Sequence, residues 1–166
     1  MMKQLKTLLL AAVLFFGANQ VNAQTKIAHV NVEELMTKMP AVIDAQKQIE
    51  KLSQTYEAEF TTLRNELQAK YQKYAAEAEQ VTDVINKERS KEVEDMEKRI
   101  QEYGQNAQKE LQQKQMDLMK PIQSKIKASI EKVGKAKGFQ YVGDIASFIL
   151  ADGTDLTADV KKDLGF

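Results

Sequence analysis

The residue types that usually perform chemistry are scarce in this chain. It has no cysteine and one histidine, His29. That excludes disulfides, thiolate nucleophiles and the usual Cys/His zinc sites. Asp152-Gly153-Thr154-Asp155 is the nearest approach to a metal loop, but the remaining calcium ligands are missing, and turn chemistry explains the run. No Gly-rich phosphate loop or nucleophile elbow is present. Glu and Lys pairs at helical spacing read as i,i+4 support rather than acid–base machinery. His29 sits in a short strand and reads as structural. The expectation is a non-enzyme without cofactor or metal.

A different chemistry is open to the aromatic and long aliphatic residues. Phe60, Tyr71, Tyr74, Val81, Val84, Ile85, Met96 and Tyr103 fall in one long charged stretch. Side chains of this kind on a thin scaffold can meet apolar polypeptide weakly and without sequence preference, with Met96, Met116 and Met119 adding adaptable contacts. Packing within the scaffold is the competing use for the same residues.

The elements that carry them follow from periodicity. Residues 41–133 are almost free of helix breakers. Apolar residues recur at steps of three and four from Val42 to Ile85, and again from Val93 to Val133, with Gln115 the one polar position in the second series. The mean step is close to 3.6, so two long amphipathic helices are expected. Leu52, Tyr56, Phe60, Leu63, Leu67, Tyr71 and Tyr74 repeat over 11 residues, which favours nearly straight arms. An arm of about 40 residues is about 60 Å long and must pair with another helix. No Gly or Pro marks a reversal. Thr82, Asp83 and Asn86 are the best turn residues, placing a hairpin tip near 79–86. One unbroken helix in a parallel coiled coil is the alternative. Gly104 reads either as a tolerated defect or as a flexible point, and Pro121 should kink the returning arm.

Strand signals lie at both ends of this stretch. Lys26 to Val30 reads as a strand, Asn31 as an N-cap with Glu34 at capping-box spacing, and Val32 to Lys38 as a short helix stopped by Pro40. Gly138 stops the second arm. Phe139 to Val142 and Ser147 to Leu150 read as strands separated by a Gly143-Asp144 turn, and a last short helix is capped by Thr157. A closed hairpin brings these ends together into a small sheet. The predicted division is a signal peptide at 1–23, a strand and short helix of the body at 24–40, the helical hairpin at 41–133, and the rest of the body at 134–166. The expected class is α+β, with a small β-sheet body and a long antiparallel hairpin. Three short strands give a very small core, so self-association through this end is expected.

Lys3 and Lys6, the apolar run Leu8 to Phe16, and Val21-Asn22-Ala23 before Gln24 have the form of a secretory signal, too short to span a bilayer. The exported chain is expected to be soluble. Without those lysines, 22 basic residues face 24 acidic ones. Lys120, Lys125, Lys127, Lys132, Lys135 and Lys137 form a basic helix end, most simply a solvated face near the negative end of the helix dipole.

Three pieces of the chain resemble the Skp/OmpH family of periplasmic chaperones: Ile27-Ala28-His29-Val30-Asn31-Val32-Glu33-Glu34-Leu35, Leu118-Met119-Lys120-Pro121-Ile122, and Gly138-Phe139-Gln140-Tyr141-Val142 through Asp155-Leu156-Thr157. The resemblance spans nearly all of the exported chain. It implies a jellyfish-like homotrimer in which strands around Ile27, Val30, Phe139, Val142, Phe148 and Leu150 form the body, while three hairpins enclose a cavity. It also implies capture of unfolded outer-membrane proteins in the periplasm without ATP. Phe60, Tyr71, Tyr74, Val81, Val84, Ile85, Met96 and Tyr103 are the client-contact candidates. Well-known members are strongly basic and this chain is near neutral. No lipopolysaccharide site is therefore carried over, and contact with an anionic membrane surface or lipopolysaccharide is expected to be weak at most. Nucleic acid is not expected as a partner. The rival reading is an exported coiled-coil adaptor or envelope spacer that binds one folded protein.

Overall fold

The computed structural model describes residues 25–166; the signal segment expected at 1–23 lies outside them. Strand β1 (Ile27–Val30) leads into helix α1 (Val32–Lys38). Asn31 caps α1 by accepting from the Glu34 backbone N–H at 2.8 Å. The reciprocal half of a capping box is absent. The Asn31 N–H donates instead to Thr157 Oγ1 at 2.9 Å, far along the chain. That frees the Glu34 carboxylate for Lys38 and Lys161.

Helix α2 (Pro40–Glu77) begins with Pro40, whose missing N–H costs nothing in a first turn. A single 3₁₀ turn (Ala78–Gln80) follows, and α3 (Asp83–Ala136) returns antiparallel along α2. Thr82 caps α3 by accepting from the Ile85 N–H, and the Asn86 side-chain amide donates to the Ala78 carbonyl at 2.9 Å. These bonds satisfy groups that the two helix ends would leave open, so the reversal needs neither Gly nor Pro. Helix α3 runs on through Gly104 and Pro121 and stops at Gly138, whose φ of +76° suits a residue without a Cβ.

Beyond the arms come β2 (Tyr141–Asp144), a 3₁₀ turn at Ile145–Ser147, β3 (Thr154–Asp155) and helix α4 (Thr157–Leu164). The sheet order is β2-β1-β3 and both pairings are parallel, with His29 opposite Gly143 on one side and Asp155 on the other. Two local readings change here. Gly143 and Asp144 belong to β2 rather than to a turn, and residues 148–150 are irregular rather than a strand. Both sides of β1 are already paired, so Phe148-Ile149-Leu150 has no place beside it within the chain. The polar pair Thr154-Asp155 holds that place through its backbone.

The core lies where the sheet meets the base of the arms. Ala28, Val30, Leu35, Met39, Val42, Ile126, Val133, Leu156 and Val160 are buried together, with Met119, Ile122, Phe139 and Val142 packed around them. Thr157 is the first residue of α4 rather than its capping residue, and its hydroxyl ties α4 to the start of α1.

Candidate functional site

No group of His, Cys, Asp and Glu capable of holding a metal ion occurs among the described residues. His29 is buried in the central strand. Asp155, in the run that faintly resembled a metal loop, accepts from both the backbone N–H and the hydroxyl of Thr157, so it serves the local turn. The surface with the most unusual composition is the pair of arms.

Two packed helices cover only part of each other's apolar stripe. On α3 only Val93, Met96 and Ile100 are buried within the distal arm. Leu63, Leu67, Tyr74, Tyr103 and Leu111 remain half-exposed. Polar bonds between the arms supplement this packing. Tyr56 donates its phenol to Glu110, Tyr71 to Glu97 at 2.6 Å, Tyr74 to Glu92, and Tyr103 to Glu59 at 2.9 Å. Each bond crosses from one arm to the other. The rings of Tyr56 and Tyr103 also meet edge to face, with centroids 6.1 Å apart. The phenol pKa values of Tyr56, Tyr71 and Tyr103 are raised. For Tyr56 and Tyr71 the bond to Glu110 or Glu97 is the leading cause; for Tyr103, desolvation leads and the bond to Glu59 follows, taking it to about 12.

Nearer the tip, Arg89 pairs with Glu77 across the arms, and its guanidinium carbon lies 4.6 Å from the centre of the Tyr74 ring. Arg89 Nη1 is buried without a hydrogen-bond acceptor, and the ring face supplies part of the missing interaction. Lys70 approaches the same ring at 5.7 Å and pairs with Glu92.

The client-contact candidates do not share one environment. Val84 and Tyr71 are exposed, at 67% and 47%, and Ile85 is exposed beside them. Phe60, Tyr74, Val81 and Tyr103 are half-buried. Met96 is only 8% exposed. It is buried in the arm among Glu66, Lys70, Asp95 and Arg99 and leaves little surface for a client, so it does not belong to the contact set. Phe60 lies against Gly104, where a Cβ would meet its ring at 3.5 Å.

The body candidates divide similarly. Val30 is in the chain's own core, with Phe139 and Val142 packed against it. Ile27, Phe148 and Leu150 are exposed, and Ile149 and Tyr141 are exposed too. An aromatic and aliphatic surface therefore surrounds β2 and the segment after it. Sequence reading missed Tyr141 and Ile149 because they sit within apolar runs that look like core.

A family model described as outer membrane protein (OmpH-like) matches residues 26–164. The chain belongs to the OmpH-like family. Among its relatives, the chaperone protein Skp of Photorhabdus luminescens is 31% identical over 166 residues, covering 95% of this chain and 98% of that one. The chaperone protein Skp of Pectobacterium atrosepticum is 27% identical over 143 residues, covering 86% and 87%. A crystal structure of an OmpH-like protein from Caulobacter crescentus CB15 superposes with a TM-score of 0.78 over 86% of this chain and 85% of that one. At 17% identity that likeness concerns the fold. The OmpH-like fold is thus a three-stranded body carrying a long two-helix arm. No helix among the described residues is long and apolar enough to cross a membrane.

Proposed function

We propose that this chain is an ATP-independent holdase of the periplasm that binds unfolded outer-membrane proteins between its helical arms and prevents their aggregation. One observation carries the reading: a helical hairpin of this length leaves most of its aromatic and aliphatic stripe half-exposed along both arms. Many weak contacts of that kind suit a non-native chain better than one folded partner. The relatives named as chaperones support the same reading. The contact set is Phe60, Tyr71, Tyr74, Val81, Val84, Ile85 and Tyr103. Residues 1–23 act as the export signal, 24–40 and 134–166 form the body, and 41–133 form the arm. Three copies assemble through the exposed surface of Ile27, Phe148 and Leu150, so that three arms surround one client. No cofactor takes part.

The test is dilution of a urea-unfolded outer-membrane β-barrel protein into buffer, with this protein titrated in and light scattering followed. Suppression near three chains per client, without ATP, is expected. A stable oligomer that leaves aggregation unchanged would sink the holdase reading and favour an adaptor that binds a folded envelope protein.

A further inference from the structure

We propose that the outer third of the arm carries an electronegative aromatic groove that takes the basic segments of an extended polypeptide. The inference rests on the holdase reading and names the partner chemistry of one part of the arm. The groove has a volume of 470 Å³ and runs between α2 and α3 just below the tip. Ala75 on α2, Ala78 in the 3₁₀ turn and Ser90 on α3 are small, which opens the space. Val93 is its buried floor and Tyr71 its exposed wall. Tyr74 also lines it, but Arg89 and Lys70 already lie over that ring, so Tyr71 is the aromatic surface left for a ligand.

Charge decides the occupant. Arg89 lines the groove but is neutralised by Glu77. Glu94 and Glu97 line it as well, and neither is in an ion pair among the described residues; Glu97 accepts only the Tyr71 phenol. A Lys or Arg side chain entering here meets two unpaired carboxylates and a free ring face, while its neighbouring apolar residues meet Val93 and the alanines. An acidic segment meets the same carboxylates with like charge. The opposite side of the arm has a more mixed lining: Glu66, Glu88, Glu92 and Asp95 stand among Lys70, Lys91 and Arg99, and Lys70 pairs with Glu92.

The test uses three fluorescein-labelled peptides of one apolar, Ser-spaced sequence, differing only in two positions that are both Lys, both Gln or both Glu. Binding is read by fluorescence anisotropy at low salt. The Lys peptide should bind about fivefold more tightly than the Glu peptide, the size two exposed ion pairs can supply, and the ratio should shrink as salt rises. The double variant Glu94→Gln, Glu97→Gln keeps an acceptor for Tyr71 and should bring the ratio close to one. Glu88→Gln with Asp95→Asn, on the other side, should leave it unchanged; circular dichroism checks that both variants remain helical. A ratio near one in the unmutated protein overturns the inference, as does a ratio that the first variant leaves intact or that both variants abolish equally. The light-scattering assay separates the two levels. Suppressed aggregation without a charge preference removes the groove alone. Absence of both peptide binding and suppression removes the holdase reading with it.

Discussion

Two glycines on one helix show how a single hydrogen-for-methyl exchange changes sign with its neighbours. At Gly104 a Cβ would meet the Phe60 ring at 3.5 Å, an ordinary contact, so Gly104→Ala should stabilise by up to about 1 kcal/mol through helix propensity. At Gly134 a Cβ would meet Val142 Cγ2 at 2.7 Å, where α3 crosses the sheet. Overpacking costs about 1–3 kcal/mol and outweighs the propensity gain, so Gly134→Ala should destabilise. Urea midpoints moving in opposite directions would bear this out, and a rise for both would mean that β2 yields easily. Glu34 makes a second case. Hydrogen bonds from Lys161 and then Lys38 lower its pKa from 4.5 to about 2, against a smaller opposing effect of desolvation. A folded-state value below the unfolded one gives stability that is complete above about pH 4.5 and lost as pH falls towards 2. Glu34→Gln should therefore lower the urea midpoint at pH 7 and converge with the parent near pH 2. A gap that stayed constant with pH would show that the carboxylate's charge is not what joins α1 to α4. Asp163, lowered by Lys132 and then Ser129, titrates in the same direction and remains in both proteins, so the comparison isolates Glu34.

At the scale of elements, phenol–carboxylate bonds supplement the aliphatic packing that holds the arms together. Raised phenol pKa values mean stability that is full below about pH 10 and lost as pH climbs towards the folded-state values. With no tryptophan in the chain, absorbance near 295 nm reads the tyrosines without interference. Tyr56, Tyr71 and Tyr103 should ionise late, with Tyr103 near 12, and helicity should fall over the same interval. Ionisation at the ordinary value with helicity unchanged would show that the phenol–carboxylate bonds do not persist in solution. These bonds were beyond the reach of sequence reading, because pairing Tyr71 with Glu97 or Tyr103 with Glu59 requires the antiparallel register of two helices. The helices themselves were legible, since a 3.6-residue period is a local property, and Thr82 and Asn86 could be picked out because their side chains act within the turn. The sheet was half legible. Ile27 to Val30 is apolar but for His29 and is paired on both sides. Phe148-Ile149-Leu150 has the composition of a strand, but composition does not say whether a partner edge is free. Thr154-Asp155 has the composition of a turn yet joins the sheet by backbone bonds alone. At the candidate site, the exposure of Tyr71 and Val84 follows from a stripe wider than one partner helix can cover, whereas the burial of Met96 depends on the rotation of α3 about its axis.

Across the whole molecule, stability is divided unevenly between body and arm. The fully buried side chains Leu35, Leu156, Val30, Val42 and Val160 all lie in the body or at the arm base. The distal arm has Val93, Met96 and Ile100, together with exposed ion pairs and phenol bonds, each of which contributes little in water. The free energy of local opening should therefore fall along the arm, from near the global value at the core to a small fraction of it at the reversal. This gradient suits a holdase, because a distal arm that opens cheaply can rearrange around clients of different size while the body keeps its fold. Hydrogen exchange followed by mass spectrometry checks it. Peptides spanning 78–90 should exchange fastest, peptides in the middle of α2 and α3 at intermediate rates, and those covering β1, the end of α3 and α4 slowest. Leu156→Ala, which empties a fully buried position, should cost about 2–5 kcal/mol and speed exchange in the body far more than at the tip. Equal protection from tip to base would mean that arm and body unfold as one unit, and rearrangement around a client would then require opening the body as well.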